Sequence, residues 1–575
     1  MMTYFAFLAL FLGIPLFLVG WLAGYDHRRR RWLPDSLRAI PARWALLAHV
    51  AVAVLYTTPW DNYLVATGVW WYPPERVIGL RLGWVPIEEY TFFVLQSLLA
   101  GLWLLWLVRR LPVDTRPNPF AGRARWGVSA ILAGVWVVVL VLFLRGPQFT
   151  YLGLILLWAI PPILLQLAVG VDVLWRYRAA VGVALLSLTL YLAAADFLAI
   201  ADEIWTIDPA QSLQIYLLGV LPFEEFLFFL VTNTLIVFGV VLVLSRYTWE
   251  RARAWLSFLT PAAYHGTGQR PPFFEGWYFK LISADETRKL AVIPGVFLGE
   301  EGHAFVQVLD GGAARSAYVS LPLAEFEATP GRFDFRAGPN RFSADGISLD
   351  LSAPDVQVHG QIQFGPLNPW PVTWLSPGVM GWYAWVPRME CYHGVLSFDH
   401  SLRGQLVVDG DVWDFDGGHG YVEKDWGQAF PDAYIWFQSN HFGVPHACLT
   451  GSVAIIPWLG GAFRGFIVGL WLNGRLYRFA TYSGAKVEAL SVRSDRVEWV
   501  LHDRHYRLEI VARRADSAPL KGPSRQDMGR RIDETLSAIL ETRLSTLQGE
   551  TVFEATGRHA GLEVHGDLQR LEAAR

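Results

Sequence analysis

The stretch PIEEYTFF at residues 86–93 returns 136 positions later as PFEEFLFF at residues 222–229. Each copy sets a proline and two adjacent glutamates at the head of a long apolar run. A proline at the first helical position and carboxylates in the first turn suit any helix N-terminus, because the proline has no amide to leave unpaired and the charges complement the helix dipole. One copy alone would call for no further explanation. Two copies at a hydrocarbon boundary, where carboxylates are costly and normally face a cavity or a partner, point to function.

The rest of the N-terminal half supports the membrane reading. Of 575 residues 53% are hydrophobic and 17% charged, and the apolar excess is concentrated in residues 1 to 247. The first run, TYFAFLALFLGIPLFLVGWLAGY, lacks a basic leader and is followed by HRRRR, so it is expected to stay as a spanning segment. Six more runs follow near 44–66, 86–108, 126–145, 150–171, 179–199 and 222–245. Runs of this length cross a core of roughly 30 Å. The expectation is a seven-helix polytopic bundle. With the N-terminus outside, the inner segments carry sixteen arginines: Arg28 to Arg31, Arg38, Arg43, Arg109, Arg110, Arg116, Arg123, Arg125, Arg176, Arg178, Arg246, Arg251 and Arg253. The outer segments carry three, Arg76, Arg81 and Arg145. That bias predicts a cytosolic C-terminal half.

The repeat extends beyond the glutamates. Asp61 precedes Trp70 by nine residues and Asp196 precedes Trp205 by nine, each pair followed by its Pro-x-Glu-Glu. Tyr4 and Pro15 are echoed at the same spacing by Tyr151 and Pro162. Two parallel three-helix units joined by one linker helix account for the odd number of crossings. Asp61, Glu88, Glu89, Asp196, Glu224 and Glu225 would then form one layer of carboxyls. Crowding in an apolar setting sets such groups apart in acidity, so a donor can stand beside an acceptor.

PWDNYLV with PIEEYTFF, and DFLAIADEIW with PFEEFLFF, resemble the heterodimer-type lycopene cyclases of bacteria and their fused archaeal and fungal relatives, over residues 1 to about 247. The resemblance implies protonation of a linear carotenoid end group, ring closure and loss of a proton, without net redox change and without a cofactor. Trp70, Trp71, Trp205 and Phe92 are the aromatic faces expected to shelter the cation. Rival membrane functions fail on residues. A retinal Schiff base needs a lysine, and the first is Lys280. DFLAIAD has the wrong spacing for a diphosphate-binding magnesium motif. A flavin enzyme would open with Gly-x-Gly-x-x-Gly, which is missing.

From about residue 265, after a linker at 248–264, the chain reads as β. HAFVQVLDG, RFDFRAG, ISLDLSA, VQVHGQIQFG, DVWDFDGG and RGFIVGLWLNGRLYRFATY alternate or are rich in β-branched and aromatic residues. MGRRIDETLSAILETRL, 528–544, starts like a helix and turns strand-like after Leu536. Two linked barrels or sandwiches are expected for a span of this size. Two cysteines, Cys391 and Cys448, are too few for a disulfide framework, and no metal motif is evident. Asp411, Asp414 and Asp416 read as turn residues.

PFFEGWYFK, GWYAWVPRMECYHGVLSFDH, GGHGYVEKDWGQAFPDAYIWFQSNHF and AGLEVHGD resemble the tocopherol cyclase family, whose plant enzymes close a chromanol ring by protonating an alkene of a prenylated quinol. That resemblance implies a lipocalin-like double barrel. Glu275, Glu390, His393, Asp399, Glu423, Asp425 and His441 are its acid or base candidates, although for each one singly a salt-bridge or turn-cap role is the more usual. The combined expectation is a bifunctional membrane enzyme acting on a carotenoid and on an isoprenoid quinol or second carotenoid, alongside other carotenoid enzymes. A carotenoid-binding or lipid-transfer protein is the alternative. A net charge of −3, with basic residues in short clusters beside apolar spans, gives no sign of a nucleic-acid partner.

Overall fold

The computed structural model describes residues 2–114, 124–386, 389–458 and 460–573. Arg116 and Arg123, counted above for orientation, lie outside the described residues, as does the side chain of Arg125. The chain divides into two units, Met1–Arg253 and Ala254–Arg575.

Among the described residues, the first unit holds seven helices of 20 residues or more: Tyr4–Arg28, Ala42–Ala66, Ile87–Val108, Ala124–Phe143, Thr150–Arg176, Arg178–Ala201 and Phe223–Leu244. Five are long and apolar enough to cross a membrane; Ala42–Ala66 and Ala124–Phe143 do not reach that standard. The two glutamate helices are central. Ile87–Val108 packs against Tyr4–Arg28, Ala42–Ala66 and Arg178–Ala201, while Phe223–Leu244 packs against Thr150–Arg176, Arg178–Ala201 and Ala42–Ala66. They meet each other as well, and Gln96 Nε2 donates to Thr232 Oγ1 at 3.1 Å. Gln96 and Thr232 each lie ten residues after the proline of their own copy, so the contact joins equivalent positions of the repeat.

Pro86 and Pro222 stand one residue earlier than expected. Each caps its helix in an extended conformation and also closes a two-residue hairpin, Arg81–Leu82 with Val85–Pro86 and Tyr216–Leu217 with Leu221–Pro222. Gly83 and Gly219 turn these hairpins at φ 71° and 78°, where a Cβ is disfavoured. A further antiparallel pairing, Trp70↔Ile207 and Trp71↔Thr206, ties the loop of one copy to the loop of the other.

The second unit is built from two antiparallel sheets of 12 and 10 strands. Residues 273–282, 419–427 and 391–408 are the middle of the first; 434–439, 551–565 and 530–546 are the middle of the second. The helical start expected at 528–544 is corrected to strand, Arg530–Thr546. Burial there alternates through Ile532, Glu534, Leu536, Ala538 and Leu540, a period of two that a helix cannot bury on one face.

Leu540 pairs with Ala512 on one side and Gly557 on the other. A Leu540→Pro substitution removes a ladder donor from a central strand and a fully buried leucine side chain from the core, and is expected to cost at least the about 2–5 kcal/mol of a large-to-small core change. Limited proteolysis of the purified chain is therefore expected to cut within residues 486–565 in the variant and not in the wild type.

Candidate active site

Within each Pro-x-Glu-Glu copy the two glutamates do different work. The first turns back to the loop before its own helix: Glu88 Oε1 accepts from the Ile78 amide at 2.8 Å and Glu224 Oε1 from the Leu213 amide at 2.6 Å. The second faces a tyrosine. Glu89 Oε2 accepts from the Tyr4 hydroxyl at 2.5 Å and the Tyr72 hydroxyl at 2.9 Å, and Glu225 accepts from the Tyr151 hydroxyl. Tyr4 and Tyr151 are the residues whose echo accompanies the glutamate repeat, so the repetition preserves a donor for each buried carboxyl.

Glu89, Asp196 and Glu225 line one small cavity of about 30 Å³ together with Tyr4, Tyr72, Trp70, Trp205, Phe92, Phe228 and Phe229. Trp205 Nε1 donates to Asp196 at 3.1 Å. Aromatic contacts cross between the copies: the Trp205 ring lies 5.0 Å from Tyr4, and Trp70 lies 5.5 Å from Tyr151. Of the expected residues, Asp61, Glu88 and Glu224 are fully buried without lining this cavity, and Trp71 stands outside it, 44% exposed. Both Asp61 oxygens, and one oxygen each of Asp196, Glu88 and Glu224, have no hydrogen-bond partner among the described residues. Unpaired buried carboxyl oxygens are costly.

The second unit has a larger cavity, about 190 Å³, between its two sheets. Strand alternation sets its polar wall. Tyr421, Glu423 and Asp425 share one face of the 419–427 strand, while Lys424 points the other way. Register then places His393 opposite Asp425 and Tyr278 opposite Glu423. His393 Nδ1 lies 2.9 Å from Asp425 and its Nε2 3.6 Å from Glu423. Burial works against the imidazolium, but Asp425 and Glu423 outweigh it and hold His393 up, at about 9. Glu423 is pushed up to about 7 by burial, against the pull of His393 and of hydrogen bonds from Tyr421 at 2.5 Å and Trp436 at 3.1 Å. His393, Glu423 and Asp425 are close enough to hold a cation together, yet their donor atoms are already engaged with one another and with these two side chains, which suits an ion-paired triad.

Four other expected residues lie elsewhere. Glu275 faces away from the cavity and pairs with Lys424 at 2.6 Å, both 0% exposed, beside His265. Glu390 pairs with Arg525 at the surface. Asp399 meets His419 and Asn440, and His441 bonds to Asn440. Sequence reasoning missed Glu534 and Glu563, which also line the cavity. Glu563 sits inside the AGLEVHGD motif, and Glu534 is part of the strand whose start reads as helix.

The comparisons fit this division. The N-terminal region is 44% identical over 254 residues to a lycopene beta-cyclase of Halobacterium salinarum, covering 44% of this chain and 98% of that protein. The helical half belongs to the lycopene beta-cyclase family. A bifunctional lycopene cyclase/phytoene synthase of Podospora anserina is 38% identical over 205 residues, 34% of this chain and 34% of that protein. Beyond the cyclase half, residues 343–566 match the tocopherol cyclase-like family. The crystal structure of CghA with Sch210972 covers 52% of this chain and 89% of that one at 11% identity, with a TM-score of 0.36 that carries no argument about fold.

The two ion pairs of the β unit differ in a measurable way. Glu275→Ala leaves Lys424 buried without its counter-charge and is expected to cost about 3–5 kcal/mol. Glu390→Ala removes a partner of the exposed Arg525 and is expected to cost less than about 1 kcal/mol. Denaturant unfolding of the detergent-solubilised chain, followed by the β signal in circular dichroism, compares the two directly.

Proposed function

We propose that the helical half cyclises the linear end group of lycopene or a related carotenoid by redox-neutral proton transfer. The observation that carries this is the meeting of Glu89, Glu225 and Asp196 in one cavity walled by Trp70, Trp205 and Phe92. One carboxyl protonates the terminal alkene, the neighbouring double bond closes on the cation, and a second carboxyl takes the proton lost as the ring alkene forms. Aromatic faces lower the energy of the cation between these steps. The cavity is too small for an end group as it stands, so entry requires the aromatic side chains to move apart. The family membership and the identity to a lycopene beta-cyclase support the substrate class.

In this reading all seven helices cross the cell membrane with the N-terminus outside, Glu89 and Glu225 lie toward the outer face, and the β unit is cytosolic. The arginine distribution supports that orientation. The β unit takes two lipocalin-like barrels' worth of strands and acts on an isoprenoid quinol or carotenoid by the same kind of proton-initiated chemistry, with His393, Glu423 and Asp425 as its acid–base group. Its match to the tocopherol cyclase-like family supports this. No cofactor enters either reaction. The second reading, a carrier for carotenoid or lipid, draws on the apolar lining of the β cavity.

Expression in a lycopene-accumulating host tests the proposal: cyclic carotenoids are expected, and pigment left as lycopene sinks it. Glu89→Gln and Glu225→Gln are expected to lower ring formation at least about 100-fold, in the range of a lost acid or base. Glu88→Gln and Glu224→Gln are expected to be far milder, since a glutamine carbonyl still accepts from the loop amide. Equal losses in all four variants would overturn the division of labour within each pair.

A further inference from the structure

Glu534 and Glu563 are direct cross-strand partners on the second sheet, and both line the β cavity. Each carboxyl accepts from a tyrosine, Glu534 from the Tyr278 hydroxyl of the first sheet and Glu563 from the Tyr434 hydroxyl at 2.7 Å. As register partners on neighbouring strands with both side chains at the cavity, the two carboxyls stand side by side. Glu534 is fully buried, and its second oxygen has no other partner among the described residues. Two carboxyls so placed resist ionising together, so the pair keeps one proton to higher pH than an isolated glutamate would. A shared proton facing an apolar cavity is the arrangement an acid needs in order to reach an alkene.

We propose that Glu534 and Glu563 form a shared-proton dyad that is the proton donor of the β unit. The inference rests on reading that unit as an enzyme of proton-initiated isoprenoid chemistry. It assigns opposite roles to the two polar groups of one cavity. His393, held up at about 9 between Asp425 and Glu423, already carries its proton at neutral pH, so this group receives a proton on a carboxyl oxygen beside the imidazolium. Burial comes first in pushing both carboxyls of the dyad up, with Glu563 reaching about 7, and the charged groups facing them from the first sheet are Glu423, Asp425 and, toward Glu534, the buried Lys280. In a prenylated hydroquinone, the dyad proton adds to the less substituted alkene carbon and leaves a tertiary cation. A phenol oxygen then forms the C–O bond as its O–H breaks, and the released proton passes to a carboxylate oxygen of Asp425 or Glu423 beside His393. The dyad is reprotonated from solvent, and the product is an isomer of the substrate.

The test uses the full-length chain in detergent, with a hydroquinone bearing a long isoprenoid chain as probe. Infrared difference spectra of wild type against Glu563→Gln and Glu534→Gln are expected to isolate one protonated-carboxyl band that persists to higher pH than an exposed glutamate's and fades only as pH is raised further. Turnover of the probe is expected to fall at least about 100-fold in both variants, and in the wild type to drop about tenfold per pH unit above the pH at which the band fades, because the acid must be protonated. Glu563→Asp, which keeps the acid, should retain measurable turnover and so exclude misfolding as the cause. In heavy water the product should carry one deuterium at the protonated carbon. No band, or full turnover in both glutamine variants, overturns the dyad while leaving the broader reading intact. A wild type inert toward the probe overturns the quinol reading instead, and the dyad then stands or falls on the infrared band.

Discussion

A carboxyl at the head of an apolar helix must find hydrogen-bond donors inside the protein, because the surrounding hydrocarbon offers none. In the helical half that need is met by Tyr4 and Tyr72 on Glu89 and by Tyr151 on Glu225. Tyr4 and Tyr151 come from the first helix of each copy, the glutamates from the third. The bonds therefore pull the outer helices of each copy onto its glutamate helix. Trp205 on Tyr4 and Trp70 on Tyr151 carry the contact across to the other copy. Remove the donors and the central helix ends lose their reason to stay buried.

The other glutamate of each pair solves a different problem. The loops before the two central helices carry backbone amides at the same depth as the carboxyls, and an unpaired amide there is costly. Glu88 and Glu224 accept those amides and pin the loops. Two adjacent glutamates thus divide between holding a loop and facing a cavity, a split that helix geometry enforces, since neighbouring residues point about 100° apart around the axis.

Much of this was legible in the chain itself. The apolar runs matched the helices within a few residues, because length and hydropathy dominate helix placement in such segments. The doubled Asp, Trp and Glu-Glu spacing located the polar layer. What the sequence could not separate was Glu88 from Glu89, identical residues whose difference lies in which loop amide folds back. Trp71 was drawn in by its neighbour Trp70, yet strand alternation turns it outward. In the β half, identity of residue type misled: Glu275 and Glu423 are both buried glutamates, but opposite faces of paired strands give one a lysine and the other a cavity. Glu534 was obscured by a local pattern that favoured helix, and only long-range pairing with the 551–565 strand makes it a partner of Glu563.

The same pairing of groups recurs on two unrelated architectures. Tyr4 with Glu89 and Tyr151 with Glu225 stand on helices; Tyr278 with Glu534, Tyr434 with Glu563 and Tyr421 with Glu423 stand on strands. A carboxyl that gives its proton to carbon becomes a buried anion, and in an apolar cavity that anion is the most expensive species in the reaction. A phenol hydroxyl already aimed at the carboxyl stabilises it the moment it forms, without water entering to quench the cation. Tyrosine can do this because its ring packs with apolar neighbours while its hydroxyl serves the carboxyl. A serine would bring the donor without the packing, and a phenylalanine the packing without the donor. The proposed chemistry, which generates a cation and an anion together in a dry site, would be served by this pair of side chains wherever the backbone brings them face to face.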